Sequence, residues 1–245
     1  MSKKPLSRDA VKYIAMAAMT LNHIGEILLP PGSLIGEMMI DLGYFTAITM
    51  CWFLVEGMHR TRSRRRYALR LFIFALLSQL PFYLAFRPQN AIWHLNMLFN
   101  LFACCLLYMG LEYFHARWQQ AAVTAAVLFF AGFCDWSILA PVFVLLFRRA
   151  GEDRRAQARA WAFSILSFGV LNLAGWNETA GSLPAALLHS LGSISGPVLA
   201  CLVNRYLYNG QRAARGRQFS KWFFYCYYPA HLAVLTAVKT FIVKP

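Results

Sequence analysis

The apolar run from Tyr13 to Leu29 carries Asn22, His23 and Glu26 within two helical turns. Imidazole is the side chain whose ordinary pKa lets it take up and return a proton near neutral pH. Ionisable groups inside apolar spans are costly, so they face a protein interior or a water-filled cavity and are functional candidates by default. The same reasoning singles out His231, which has Tyr227 and Tyr228 one turn before it and Pro229 loosening the backbone between. Glu37 and Asp41, four residues apart, share one helix face, and His94, Asn96 and Asp135 stand at the starts of apolar stretches. His59, His115 and His189 read as structural or interfacial groups. None of the six cysteines makes a CxxC or Cys/His spacing, so they read as small buried hydrophobes and no metal is expected.

The elements that must position these groups follow from composition. The chain has 245 residues, 59% hydrophobic and 14% charged, with a mean hydropathy of +0.46. A soluble domain carries roughly a quarter charged residues, so this composition is that of an integral membrane protein. Apolar windows give nine candidate helices, at 10–29, 35–58, 67–86, 93–113, 119–133, 136–149, 160–176, 184–208 and 221–243. The expected fold is therefore all-α, a polytopic multi-pass bundle of the cell membrane forming a single domain over 1–245. The fifth and sixth windows are short and suggest a broken element meeting at Gly132–Asp135. The basic, then apolar, N-terminus looks like a signal peptide but lacks an A-x-A-like site and is interrupted by Asn22-His23, so it reads as a retained first span.

The net charge of +14 would suggest nucleic acid in a soluble protein, but the basic residues fall in alternate loops. With the N-terminus in the cytosol, only Arg87, Lys239 and Lys244 are left for the outer face, which predicts a cytosolic N-terminus and an external C-terminus. In that topology His23 lies about 16 Å along the first helix from Lys12, near or beyond the midplane. His231 reaches a comparable depth on the ninth helix. Groups at one depth suggest one outer-side cavity.

The arginine-rich stretches at 60–66, 148–159 and 212–221 obey the positive-inside rule and can contact anionic lipid. They also supply the forks and point charges that a nucleotide pyrophosphate needs. Arg64, Arg65, Arg66 and Arg70, then the 212–217 cluster that includes Arg215, are the candidates for such a ligand. A phosphate site below and a histidine cavity above suit an enzyme that moves a group across the bilayer.

Four stretches carry a resemblance: AMTLNHIGEIL (18–28), WFLVEGMHRTRSRRRYALRLFIFALLSQLPFYLAF (52–86), HLNMLF (94–99) and FFYCYYPAHLAVL (223–235). Together they resemble the TraX family of integral membrane proteins, named for the acetylase of F-type conjugative pilin. The resemblance implies an acyltransferase using acetyl-CoA, with a basic residue near the cytosolic end of the first helix and a histidine about three turns later. Lys12 and His23 fit that layout. Asn22 stands where the family leads one to expect an acid, so the charge near His23 would come from Glu26, Glu37 or Asp41, or be dispensed with.

On this reading His23 is the general base that deprotonates an acceptor amine or hydroxyl as it attacks the acetyl thioester. His231 is the second choice for that role, or an oxyanion donor alongside Asn96 and Tyr228. Direct transfer and an acetyl-histidine intermediate both stay open. Glu37, Asp41, His94 and Asp135 are the substrate-side candidates, and Lys12 joins the arginines on the donor side. The acceptor could be a peptide N-terminus, a glycan, a lipid headgroup or a small molecule, and the sequence is compatible with a homo-oligomer. The competing class is a proton-coupled transporter or small-molecule-binding membrane protein using the same histidines and carboxylates. A purely structural accessory leaves the buried histidines unexplained.

Overall fold

The computed structural model describes residues 4–87, 93–180, 183–213 and 215–242, with the side chains of 175–180, 217 and 242 left out of the description. Lys3 and Lys244, which enter the charge count above, lie outside the described residues. The secondary structure is helical: α1 (Arg8–Leu28), α2 (Leu34–Gly43), α3 (Phe45–Arg60), α4 (Arg64–Phe86), α5 (Met97–Tyr113), α6 (Arg117–Ala131), α7 (Leu139–Ala150), α8 (Arg154–Ala180), α9 (Leu183–Ser193), α10 (Ser195–Leu202) and α11 (Arg217–Ile242). A π-helical turn, Val203–Leu207, follows α10. Among the described residues, Leu34–Arg60, Arg64–Phe86 and Leu183–Leu207 are long and apolar enough to cross a membrane. Met97–Tyr113 is a shorter apolar helix.

Helix starts are set locally. Ser7, Ser33 and Ser63 accept hydrogen bonds from the backbone N–H groups of Ala10, Gly36 and Arg66, and Asn96 accepts one from Leu98. Each bond satisfies a donor that the first helical turn otherwise leaves open. The Asn96 cap corrects one expectation. The fourth apolar window was expected to be helical from residue 93, but Leu95 instead makes an isolated parallel bridge with Cys134, and α5 starts only at Met97.

Two further windows, 35–58 and 184–208, are each broken. The first divides between α2 and α3 at Tyr44, and the second between α9 and α10 at Ile194. The expected interruption near Gly132–Asp135 is present as the connection between α6 and α7, where Trp136 and Ser137 have φ of 60° and 25°.

The chain forms two units, Met1–Thr49 with Glu152–Phe224 and Met50–Gly151 with Tyr225–Pro245. In the first, α2 packs on α1, α9 and α10, and α8 packs on α9 and α10. At the break at Tyr44, α10 lies close against the chain. Gly196 of α10 lies against the Asp41 carbonyl and the Phe45 N–H so tightly that a Cβ would collide with both. Between helices as apolar as their surroundings, such small-residue contacts replace the hydrophobic effect as the source of packing. Thr46 adds a hydrogen bond to the Ala15 carbonyl on α1 at 2.6 Å, and Ser190 one to the Gly169 carbonyl on α8 at 2.8 Å.

In the second unit α5 is the hub, packing on α4, α6 and α7. Its buried face presents Phe99, Ala103, Cys104, Cys105, Leu107 and Tyr108. At the far end of this unit Lys239 donates from Nζ to the carbonyls of Ala85 and Arg87, both at 3.1 Å. A cation there satisfies open carbonyls and opposes the negative end of the α4 dipole.

Gly196→Ala is expected to lower the thermal unfolding midpoint of the detergent-solubilised protein, at a cost of ~1–3 kcal/mol for forcing the α2–α3 junction off α10. An unchanged midpoint would show that the junction has slack that this geometry denies.

Candidate functional site

In the first unit Lys12 and His23 lie on one face of α1, since eleven residues advance the helix about 20° beyond three full turns. His23 is 7% exposed, and the Lys12 ammonium sits 4.9 Å from the Phe224 ring centroid. Asn22 points elsewhere, to α2. Its Nδ2 donates to the Ile40 carbonyl at 2.9 Å, and Gly43 packs so closely on its side chain that any Cβ there would overlap it. In this structure Asn22 ties α1 to α2. Glu26 is exposed.

Glu37 and Asp41 do share a face of α2, and α9 delivers His189 to it. The His189 Nδ1 and the Glu37 carboxylate are 3.6 Å apart. The structure thus makes His189, which reads from sequence as a structural or interfacial group, a partner of the Glu37 carboxylate, one turn before Asp41. Arg215 is exposed ahead of α11.

The second unit holds the remaining candidates. His231 on α11 is 7% exposed. Its Nδ1 lies 2.9 Å from the Tyr227 carbonyl. A carbonyl only accepts, so Nδ1 donates and, in the neutral ring, Nε2 carries the basic lone pair. The Tyr227 ring stacks on the imidazole with centroids 5.1 Å apart, and the Tyr228 ring lies 5.6 Å away on a tilted approach.

Asn96 is fully buried. Its Nδ2 donates to the Ala75 carbonyl at 2.8 Å and to Gln79 Oε1 at 2.9 Å. Both amide hydrogens are therefore in use, which withdraws Asn96 as an oxyanion donor in this structure and makes it the pin between α4 and α5. Gln79 completes the pin by donating to the His94 carbonyl at 2.8 Å.

His94 stacks on Phe82 with centroids 5.9 Å apart, and burial lowers its pKa, favouring the neutral ring. Asp135 accepts from the Trp136 N–H at 2.9 Å. Its backbone carbonyl and that of Ser137 both receive Asn100 Nδ2, at 2.9 and 2.8 Å. Asn100, fully buried and one turn after Asn96, escaped sequence reasoning. Its only signal there is an amide in an apolar helix at i,i+4 from another.

The residues expected to share one outer cavity thus divide between the units. Asn22, His23, Glu26, Glu37, Asp41 and His189 belong to the first, and His94, Asn96, Asp135, Tyr228 and His231 to the second.

Of the arginines at the start of α4, Arg64 is committed. It is ion-paired with Glu112 and donates from Nε to the Met58 carbonyl at 2.9 Å, so its charge is already neutralised inside the fold. Arg65 and Arg66 are exposed. Arg70 lies over Tyr67, 5.9 Å from the ring centroid, and its buried Nε has no hydrogen-bond partner among the described residues. Among those residues no group of His, Cys, Asp and Glu is arranged to hold a metal ion.

Asp135 yields a pH prediction. Burial raises its carboxyl to about 6, the hydrogen bond from the Trp136 N–H working in the opposite direction. A pKa above the unfolded value means that the folded state holds the proton more tightly. The stability this contributes is fully present below about pH 4 and lost as pH rises through about 6. Asp135→Asn keeps the acceptor for Trp136 and removes the titration. Wild type is expected to lose ~1–3 kcal/mol between pH 4.5 and 7.5 that the Asn variant retains, read as the difference between their thermal midpoints. Parallel pH profiles would sink the argument.

Comparison with known proteins bears on all these residues together. The family described as TraX protein matches residues 7–239. A relative from Dichelobacter nodosus, described as probable fimbrial assembly protein FimC, serogroup H1, is 30% identical over 242 residues and is covered, like this chain, to 95% of its length. No solved structure matches. With the match running from the Ser7 cap of α1 to Lys239 in the last turns of α11, the chain belongs to the TraX family.

Proposed function

We propose that this chain is a multi-pass membrane acetyltransferase that takes an acetyl group from cytosolic acetyl-CoA and passes it to an amine or hydroxyl reached from the membrane or outer side. The observation that carries the proposal is the buried histidine of α1 three turns above a lysine on the same helix face, in a chain of this family. The relative's description as a fimbrial assembly protein favours a fimbrial subunit as acceptor.

In this mechanism His23 takes the proton from the acceptor as its nitrogen or oxygen bonds to the acetyl carbonyl carbon. It returns that proton to the departing sulfur as the carbon–sulfur bond breaks. A neutral imidazole suits both halves of the cycle. His231 is the alternative base, because its Nδ1–H is fixed on the Tyr227 carbonyl and Nε2 holds the lone pair. Tyr228, with its hydroxyl buried beside that ring, is the alternative donor to the oxyanion.

Asn22 has a positional part, keeping α1 on α2. Glu37 and Asp41 with His189, and separately His94 and Asp135, are the substrate-side groups of their units. Donor phosphates fit the arginines that the fold leaves without a carboxylate. The buried Nε of Arg70, without a hydrogen-bond partner among the described residues, is one sign of an anion, with Arg65 and Arg66 near it in sequence and Lys12 and Arg215 the candidates in the first unit.

The proposed topology counts α2 with α3, and α9 with α10, as single passes, giving nine crossings with the N-terminus in the cytosol and the C-terminus outside. Single cysteines placed at Ser2 and Lys244, with the native cysteines removed, are expected to react from opposite sides of sealed cells with an impermeant maleimide, the C-terminal one from outside. Labelling of both from the same side would overturn the count.

Activity is tested on protein purified in nanodiscs. Wild type, His23→Ala and His231→Ala are all expected to bind acetyl-CoA. Turnover, or slow hydrolysis without acceptor, is expected to fall by roughly 10²–10⁴ in the variant that lacks the base. Folded wild-type protein that binds neither acetyl-CoA nor CoA would remove the enzyme reading and direct attention to proton-coupled transport.

A further inference from the structure

The second unit contains a cationic cluster that the transfer chemistry above does not use. Tyr108 on α5 is 1% exposed. The end of α3 brings His59 to it, with Nε2 3.1 Å from the Tyr108 hydroxyl and the two rings edge to face. The start of α4 brings the Arg64 guanidinium to 5.5 Å from the ring centroid, and the end of α7 brings that of Arg148 to 5.1 Å.

These groups are not electrostatically equal. Arg64 is spent on Glu112 and the Met58 carbonyl. Arg60, nearby in sequence, is paired with Glu56 at 3.0 Å. Arg148 is half-buried, and no carboxylate lies within ion-pairing distance of it among the described residues. Its fixed support is the Tyr108 ring, with the open carbonyls at the end of α7 supplying a weak negative field.

A guanidinium held over a buried ring, with one donor turned to the Tyr108 hydroxyl, has already lost much of its rotamer freedom while keeping its remaining donors for another acceptor. That is how an arginine is preorganised for a bidentate oxyanion. His59 beside it is exposed and adds a further donor.

We propose that Arg148, held on Tyr108 beside His59, binds a phosphate group of the acyl donor. This rests on the acetyl-CoA reading above and deepens it, adding a side chain on α7 to the arginines of α4 as a ligand of one phosphate group. The diphosphate and the 3′-phosphate of CoA offer the same chemistry.

The experiment measures affinity of the full-length protein in nanodiscs for acetyl-CoA, CoA and 3′-dephospho-CoA. The variants are Arg148→Gln, Arg148→Lys and Arg149→Gln. Arg149 is exposed at the same helix end, so its loss removes the same charge from the same region without touching Tyr108.

Arg148→Gln is expected to weaken acetyl-CoA binding about tenfold or more, the size of a lost charge-assisted hydrogen bond. Arg149→Gln is expected to change it less than about twofold, as for a screened surface charge. A CoA-over-dephospho-CoA preference that vanishes in Arg148→Gln assigns the 3′-phosphate, and a preference that survives the overall loss assigns the diphosphate. Arg148→Lys keeps the charge but not the fork and is expected to recover only part of the affinity, so it carries the test if the Gln variant does not fold. Equal small losses in Arg148→Gln and Arg149→Gln, or none, overturn the proposal while leaving the donor reading intact. Failure of wild type to bind any of the three ligands overturns the donor reading, and this proposal with it.

Discussion

Helices this apolar can stop only where their open backbone groups find partners, because an unsatisfied amide or carbonyl in hydrocarbon costs several kcal/mol. Much of the buried polar chemistry of the chain answers that demand. Asn96 caps α5 and bonds Ala75 and Gln79. Asn100 holds the carbonyls of Asp135 and Ser137 where α6 gives way to α7. Asn22 reaches the Ile40 carbonyl just before α2 ends. In Asn96 and Asn100 both amide hydrogens are on carbonyl oxygens, which makes each a rigid pin between helices and a poor catalyst.

The cations divide by the same logic. Arg60 and Arg64 are neutralised by Glu56 and Glu112, and Lys239 serves the last carbonyls of α4. What these leave over, on Arg65, Arg66, Arg70 and Arg148, is positive charge not spent on a carboxylate. A guanidinium in the open is cheap to solvate, whereas one half-buried against an aromatic ring is held in place for an anion to meet. The burial of each arginine therefore separates charges open to solvent from charges held in place by the fold.

The legibility of the fold in sequence was uneven for identifiable reasons. Every one of the nine apolar windows contains helix, because length and hydropathy alone suffice to detect such segments. The breaks at Tyr44 and Ile194 are not legible, because the apolar run continues through both, and the packing of Gly196 against the α2–α3 junction comes from a helix about 150 positions away. The start of α5 was set too early because Trp93 and Leu95 read as helix, while the cap that decides it is Asn96. The partners of His189 and Arg64 are not legible either, because Glu37 lies about 150 positions before His189 and Glu112 is far along the chain from the arginine run.

The sequence by itself determined the all-helical class, the family and the identities of the two buried histidines, since these follow from hydropathy, from charge in alternate loops and from motifs along one stretch of chain. Tertiary structure decided which polar side chains are spent and which remain. Whether an amide or a guanidinium is satisfied depends on groups brought from other helices, as Ile40 is to Asn22, Ala75 to Asn96 and Tyr108 to Arg148. Spacing within one helix carries no record of those partners, because hydrogen bonds and ion pairs form through space between segments far apart in sequence.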